Sequence, residues 1–296
     1  MSSVGYDEFA FFADNAAEVG LAYSGPPRVA RVGVEIEPGR VLSALHWGDG
    51  DPELVLLHGG AQNAHTWDTV ALALDRPLLA IDLPGHGRSG WRDDQAYWPA
   101  QNAEAVAVAI GALAPNARAV VGMSLGGLTS LALSQHEPDL VRRLVMVDVT
   151  PGVNREKASA ITAFISGPES FASFDEILER TVLFNPTRSE SSLRRGILHN
   201  ATERADGTWS WRYDRFVLEE GATVPDFGNL WDAVSAVRVP MMLVRGADSP
   251  VVDDDDVAEL RRRRPEVRVE VVAGAGHSVQ GDQPLVLAEL LTDFVG

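Results

Sequence analysis

A serine lies at the centre of the segment from Gly122 to Gly126 (GMSLG), where its hydroxyl could act as a nucleophile. The segment follows the apolar run Ala119 to Val121 and precedes a helical pattern from Leu125 to Glu137. Glycines two positions on either side allow a sharp turn from strand into helix, with the central residue in a strained conformation. Such a turn lifts the side chain of Ser124 to the N-terminus of the helix, where partial positive charge favours a developing anion. We therefore predict that Ser124 is a catalytic nucleophile.

A serine hydroxyl needs a general base before it becomes a good nucleophile. His277 lies between Gly274 and Ser278, directly after the last predicted strand and before the last predicted helix. A loop at this place would point the imidazole toward the end of the sheet that carries Ser124. A lone loop histidine is more often a surface residue, but the position relative to Ser124 favours His277 as the base.

Two aspartates are candidates for the carboxylate that orients the imidazole and stabilises its charged form. Asp248 follows the strand-like run Met241 to Val244, and the order Ser124, Asp248, His277 is the one expected for this arrangement. Asp148 ends the preceding strand-like run and is the alternative acid. The sequence favours Asp248.

An oxyanion hole is needed to stabilise the charge that appears only in a tetrahedral intermediate. One donor should be the backbone N–H of Leu125, the residue after the nucleophile. The second should come from the loop after the third predicted strand, where Gly60 allows close approach of the backbone and Ala61 is the alternative. We predict an oxyanion hole made by Gly60 and Leu125.

Three further histidines lie near these residues in the sequence. His58 and His86 belong to glycine-rich loops and are expected to bond loop backbone rather than substrate. His65 is expected near the mouth of the pocket, where packing is favoured over substrate contact.

The elements that must position these residues alternate between short apolar runs and longer helical patterns. Most of the runs are apolar without alternation, which is typical of strands covered on both faces of a parallel sheet. The predicted strands are 29–36, 41–46, 54–57, 78–82, 119–121, 144–147, 241–244 and 267–272. The predicted helices are 67–74, 101–113, 125–137, 253–264 and 284–294. This rhythm predicts an α/β fold with helices on both faces of the sheet.

Residues 151–230, called the insertion below, break this rhythm. They contain helix signatures and several aromatic side chains but no convincing parallel strand. Such a segment between two strands is typical of a helical cap or lid that walls a substrate pocket, although a helical layer that only packs remains the alternative. The predicted organisation is an N-terminal extension (1–28), a core (29–150 and 231–296) and a cap (151–230).

Composition excludes several other classes of function. The chain has no cysteine, which excludes disulfides, thiolate zinc sites and cysteine nucleophiles. The formal net charge of −17 disfavours binding to nucleic acid and to anionic membranes. There is no run of about 18 apolar residues and no cationic, apolar start, so we expect no membrane insertion and a cytoplasmic location.

Taken together, these segments resemble the α/β-hydrolase superfamily from about Val29 to the C-terminus. The resemblance rests on four ordered pieces: the His58-Gly59-Gly60 loop, the turn from Asp82 to Ser89, the Gly122 to Gly126 turn, and the Asp248 and His277 loops. It implies an eight-stranded, mostly parallel sheet with a helical cap after the sixth strand. It also implies ester hydrolysis through an acyl-enzyme, without a cofactor or a metal ion.

The sequence thus predicts a serine hydrolase, most simply a carboxylesterase acting on a small or medium acyl compound. Relatives with an aspartate nucleophile, such as dehalogenases, are disfavoured by Ser124. A C–C bond hydrolase and a cofactor-free perhydrolase of the bromoperoxidase kind would use the same three side chains and stay open. A non-catalytic ligand-binding member of the fold is the remaining alternative. The sequence does not specify an oligomeric state.

Overall fold

A computed structural model describes residues 6–154, 156–185, 188–215 and 227–296. Its centre is an eight-stranded sheet of β1 Val29–Glu37, β2 Arg40–Trp47, β3 Leu54–Leu57, β4 Leu78–Ile81, β5 Ala119–Met123, β6 Leu144–Val147, β10 Met241–Gly246 and β11 Arg268–Val272. The strands lie in the order β1-β2-β4-β3-β5-β6-β10-β11. β2 pairs antiparallel with β1 and β4, and every other neighbouring pair is parallel. The predicted mostly parallel sheet is confirmed.

Helices cover both faces of this sheet. They are α1 Phe12–Glu18, α2 Asp68–Leu74, α3 Pro99–Leu113, α4 Leu125–His136, α8 Leu230–Ala236, α9 Asp254–Arg263, α10 Val279–Asp282 and α11 Pro284–Val295. Among the described residues, no helix is both long and apolar enough to cross a membrane.

Burial on both faces explains why the central strands are apolar throughout. All four side chains of β3 are fully buried, and they alternate between two hydrophobic clusters. Val55 and Leu57 pack in one cluster with α3 and α4, while Leu54 and Leu56 pack in the other with α2 and α11. A strand with helices on one face only would have kept polar residues at alternate positions.

The insertion lies between β6 and β10 and contains more than helices. Its helices are α5 Ser159–Ile165, α6 Phe174–Phe184 and α7 Glu190–Asn200. It also forms a small antiparallel sheet from β7 Ser170–Phe171, β8 Ala201–Glu203 and β9 Trp209–Trp211. The sequence analysis missed this sheet because its strands are only two or three residues long, too short for a period to be recognised.

The N-terminal extension, to which the sequence analysis assigned no role, contacts both the core and the insertion. The ring of Phe12 in α1 is buried and packs edge-on against Trp47 of β2, with ring centroids 5.0 Å apart. At the other end of α1, Glu18 forms an ion pair with Arg195 of α7. The extension therefore bridges the sheet and the insertion.

Candidate active site

Ser124 occupies the sharp turn between β5 and α4. Its backbone has φ 52° and ψ −118°, a strained conformation for a residue with a side chain. A Cβ on Gly122 would collide with the backbone of Gly126, and one on Gly126 would collide with the carbonyl of Leu57. Both glycines are therefore required by close packing. The side chain of Ser124 is left half-buried at the N-terminus of α4.

His277 follows β11 and precedes α10. Its Nδ1 lies 2.8 Å from Oδ2 of Asp148, at the end of β6. Because a carboxylate only accepts, Nδ1–H is the donor, and Nε2 is left with the lone pair that a general base needs. The loop is fixed by a hydrogen bond of 2.9 Å from the N–H of Gly276 to Asp282. His277 keeps 18% of its side chain exposed, whereas Asp148 is fully buried.

His277 contacts Asp148, the alternative acid, and not Asp248, which the sequence favours. Asp248 lies two residues beyond the end of β10, where its own N–H bonds the carbonyl of Ala275 at 3.0 Å. Its carboxylate is exposed and has no hydrogen bond or ion pair with any described residue. Asp148 directly follows β6, the strand beside β5, and so emerges next to the serine turn.

Backbone pairing brings these residues to one edge of the sheet. The N–H of Ser124 donates to Val147 of β6 at 3.1 Å, and the N–H of Asp148 donates to Val244 of β10 at 2.8 Å. β11, which leads to His277, pairs in parallel with β10. The three side chains thus follow the carboxyl ends of nearby parallel strands, where ligands bind in open α/β sheets.

The two predicted oxyanion donors are free to bind a ligand. In the part of the chain that the structure describes, neither the N–H of Gly60 nor that of Leu125 donates a hydrogen bond. The alternative, Ala61, has its N–H bonded to Nε2 of His86 at 3.1 Å. A Cβ on Gly59 would lie 3.2 Å from that of Ser124, so the loop that carries Gly60 packs directly on the serine turn.

His58 and His86 hold this loop in place, as the sequence predicted. Nε2 of His58 accepts the N–H of Leu83 at 2.9 Å, while its Nδ1–H donates to the carbonyl of Gly59 at 2.7 Å. Nδ1–H of His86 donates to Pro84 at 2.9 Å. Burial holds the pKa of each imidazole below its usual value, so both stay neutral and can accept a backbone N–H.

A cavity of about 480 Å³ lies between the core, the insertion and the N-terminal extension. Gln62 and Ser278 contribute to its core wall, and Arg188 and Trp211 to the wall formed by the insertion. Ser278 is the neighbour of His277, and Gln62 accepts the N–H of Gly59 at 3.1 Å. Ser124 and His277 do not line the cavity themselves; it reaches the residues next to them, Ser278 beside His277 and Gln62 bonded to the loop that packs on the serine turn.

A second cluster of polar side chains lies away from this edge. His65, Asp68 and His199 are buried together, with His65 and His199 stacked at 3.9 Å between ring centroids. Burial lowers the pKa of His65, but the carboxylates of Asp68 and Glu8 outweigh it and raise this pKa to about 9. Burial, followed by the charge of His65, lowers the pKa of His199 well below its usual value.

Sequence reasoning missed this second cluster. It placed His65 near the pocket mouth with a packing role, and it gave no role to His199 or to the N-terminal extension. The partners are 134 residues apart and follow no recognisable spacing, so only the fold brings them together.

The comparison with protein families decides the classification of the fold. The family described as "Alpha/beta hydrolase family" matches residues 54–290, most of the chain. The chain belongs to the α/β-hydrolase family. The resemblance noted from the ordered motifs is thereby confirmed.

Individual relatives of this α/β-hydrolase are esterases and lipases. It is 46% identical over 295 residues to Esterase Rv0045c of Mycobacterium tuberculosis, with 97% of this chain and 95% of that protein covered. A solved structure, described as "Transition metal inhibition and structural refinement of the M. tuberculosis esterase, Rv0045c", has a TM-score of 0.87 and covers 98% of this chain and 99% of its own. The sn-1-specific diacylglycerol lipase ABHD11 of Xenopus laevis is 28% identical over 283 residues, covering 90% and 85%. The predicted class, an esterase, is confirmed.

Proposed function

We propose that this esterase cleaves a carboxylic ester through an acyl-enzyme on Ser124, with His277 as general base and Asp148 as the acid that orients it. The observation that carries the proposal is the 2.8 Å hydrogen bond between His277 and Asp148 at the sheet edge that presents Ser124. This bond fixes the tautomer in which Nε2 can accept a proton.

Acylation begins when Oγ of Ser124 attacks the ester carbonyl while Nε2 of His277 takes the hydroxyl proton. The N–H groups of Gly60 and Leu125 donate to the oxyanion of the tetrahedral intermediate. The intermediate collapses, the acyl group stays on Ser124, and His277 gives its proton to the departing alcohol. Asp148 keeps the imidazolium oriented and balances its charge throughout.

Deacylation repeats these steps with water as the nucleophile. His277 removes a proton from water, the hydroxide adds to the acyl carbonyl, and the second intermediate releases the acid while Ser124 regains its proton. A C–C bond hydrolase or a perhydrolase would use the same residues with a different substrate or with peroxide. Assays with a vinylogous diketone and with peroxide separate these chemistries from ester hydrolysis.

The substrate we propose is a small or medium acyl ester. The cavity of about 480 Å³ is of the size that encloses a small molecule. Many of its lining side chains are polar, among them Asn63, Thr66 and Asn185. Turnover should therefore be highest for short acyl chains and fall as the chain becomes long and apolar, which a series of p-nitrophenyl esters measures.

We also propose that first-row transition metal ions inhibit this hydrolysis. The support is the 46% identity to the mycobacterial esterase whose solved structure is described in terms of transition metal inhibition. Initial rates with Co²⁺ or Zn²⁺, before and after addition of a chelator, test this proposal.

Replacing Ser124 tests the nucleophile. Ser124→Ala should lower kcat on p-nitrophenyl acetate by a factor on the order of a million, to the assay background, because no other group can form the acyl-enzyme. A fluorophosphonate should label the wild-type protein and fail to label the variant. Ser134→Ala, a buried serine of α4 away from the turn, is the matched control and should behave as the wild type. Undiminished turnover by Ser124→Ala would refute the assignment, and an unlabelled, inactive wild-type protein would favour a binding protein.

A further inference from the structure

His65, Asp68 and His199 bring three possible metal ligands together at the junction of the core and the insertion. One nitrogen of each histidine and one carboxylate oxygen of Asp68 all lie within 4.8 Å of one another. His65 lies in the short 3-10 turn before α2, Asp68 begins α2, and His199 lies near the end of α7. None of the three side chains belongs to the proposed catalytic residues.

Two atoms of the cluster are buried without a hydrogen bond, although one of them, Nε2 of His199, lies 3.8 Å from Oδ2 of Asp68. Nε2 of His199 and Oδ1 of Asp68 are inaccessible to solvent and make no hydrogen bond with the described residues. The side chains of both residues are at least nine-tenths buried, with exposed fractions of 5% and 2%. A buried polar atom without a partner is costly, and an unoccupied ligand position is one of the situations in which it is tolerated.

Residues of the N-terminal extension contact the outer nitrogen of each imidazole. The hydroxyl of Tyr6 lies 2.6 Å from Nδ1 of His199, and in the tautomer with the proton on Nδ1 this bond leaves the lone pair on Nε2 for a metal ion. Nε2 of His65 lies 3.2 Å from the carboxylate of Glu8, and its Nδ1 faces Oδ2 of Asp68 at 2.9 Å. In metal sites the outer nitrogen of a histidine ligand is bonded in this way to a carboxylate or another acceptor.

We propose that His65, Asp68 and His199 bind a divalent first-row transition metal ion, with Zn²⁺ as the type and a water molecule as the fourth ligand. Zn–N bonds of about 2.0–2.1 Å in a tetrahedron place ligand atoms roughly 3.4 Å apart. A pair at the limit of 4.8 Å would therefore approach by about 1.4 Å, while Nδ1 of His65 and Oδ2 of Asp68, now 2.9 Å apart, would separate by about 0.5 Å. The ion takes the place of the proton between His65 and Asp68, and that proton leaves to solvent. Two imidazoles and one carboxylate suit Zn²⁺, Co²⁺, Ni²⁺ or Cu²⁺ better than Mg²⁺ or Ca²⁺.

A metal ion can reach this buried cluster from solvent, and the positive charge nearest to it is neutralised by carboxylates. His65 and His199 both line the cavity of about 480 Å³, which admits solvent between core and insertion. Arg31 is the cation nearest to His65, at 3.3 Å. Its charge is paired with Glu8 at 2.7 Å and with Asp82 at 2.8 Å.

Binding would connect two parts of the chain that are far apart in sequence. Two ligands belong to the core and the third to α7, so a bound ion restrains the insertion against the core. A metal ion bound at this place would explain the proposed inhibition of the esterase by transition metal ions. The proposed site depends on that proposed function only for its effect on activity, and not for metal binding itself. Binding and stability are measured without substrate, so failure of either proposal can be told from failure of the other.

Cobalt provides the direct test, because Co²⁺ in a tetrahedral site absorbs visible light much more strongly than octahedral, hydrated Co²⁺. The full chain should show this absorption at one Co²⁺ per chain, and Zn²⁺ should displace it and raise the thermal midpoint. His199→Gln and Asp68→Asn should abolish both effects. His136→Gln, at an exposed histidine of α4, and His277→Gln, at the catalytic edge, should retain them.

Tyr6→Phe separates a metal site from a buried ion pair that only packs. The variant removes the hydroxyl that bonds Nδ1 of His199 but leaves all three ligands, so Co²⁺ affinity should fall by about tenfold to a hundredfold. The absence of a tetrahedral spectrum in the wild type would overturn the proposal. So would its survival at full affinity in His199→Gln, or its loss in His277→Gln, which would place the ion at the catalytic histidine instead.

Discussion

The carboxylate of Asp148 accepts three hydrogen bonds at the edge of the sheet. It accepts the N–H of Gly246 at 2.9 Å, the hydroxyl of Ser249 and the Nδ1–H of His277. The first two bonds hold the carboxylate from β10 and from the loop that follows it. In the proposed mechanism, these bonds keep Asp148 in position to orient His277.

Replacing the two candidate acids tests this role. Asp148→Asn should lower kcat by about ten-thousandfold, because an amide in this place favours the wrong tautomer of His277. Asp248→Asn is the matched control and should leave kcat within about twofold, since its carboxylate contacts no described side chain. Both variants are assayed on p-nitrophenyl acetate after a check of their thermal midpoints. A larger loss in Asp248→Asn would return the role to that residue.

Gly60 allows a backbone donor to be removed by substitution. Gly60→Pro deletes the N–H and should lower kcat by about a hundredfold to a thousandfold, with a smaller effect on KM, because the donor acts on the tetrahedral intermediate. Gly60→Ala keeps the N–H, and its added Cβ would lie 3.7 Å from Ile165, an ordinary contact. Equal rates for the two variants would exclude Gly60 as an oxyanion donor.

At the scale of elements, the strands that carry the site were predictable from sequence. β3 and β6 lie where the apolar runs 54–57 and 144–147 placed them, because two-sided burial leaves a local signal in every residue. The choice between Asp148 and Asp248 was not predictable in this way. Both follow such a run, and only the course of the chain beyond β10 turns one of them toward solvent.

The insertion is attached to the core by Lys157. Its Nζ lies 2.8 Å from Asp253 and 2.7 Å from Asp256, the two residues of the capping box at the start of α9. The hydrogen bond from Lys157 is the main cause that lowers the pKa of Asp253 below its usual value. This attachment is independent of the catalytic residues.

Lys157→Met should lower the free energy of unfolding by about 1–3 kcal/mol near neutral pH, because it leaves two neighbouring carboxylates without their cation. A carboxylate whose pKa is lowered by folding stabilises the protein above its unfolded pKa and loses that effect as pH falls through the folded value. The difference between variant and wild type should therefore shrink at acidic pH. Urea unfolding at several pH values measures it, with Glu156→Gln at an exposed neighbour as control. A difference that is constant with pH would contradict the ion pair.

At the scale of the whole molecule, contacts between residues far apart in sequence determine where the N-terminal extension lies, and local sequence patterns do not predict such contacts. The formal charge of −17 and the absence of cysteine excluded classes of function from composition alone. The position of the N-terminal extension across core and insertion could not be derived, since Glu8 and Glu18 find Arg31 and Arg195 only in the folded chain. The same holds for the His65, Asp68 and His199 cluster.

The claim that Ser124 is the nucleophile is tested most directly by finding which residue carries the acyl group during turnover. The wild-type protein is mixed with excess p-nitrophenyl acetate, quenched with acid during turnover and digested, and the peptides are mapped by mass spectrometry. We predict an acetyl group on Ser124, and none on this peptide in Ser124→Ala. An acetyl group that forms on another residue at the rate of turnover, with Ser124 unmodified, would contradict the mechanism.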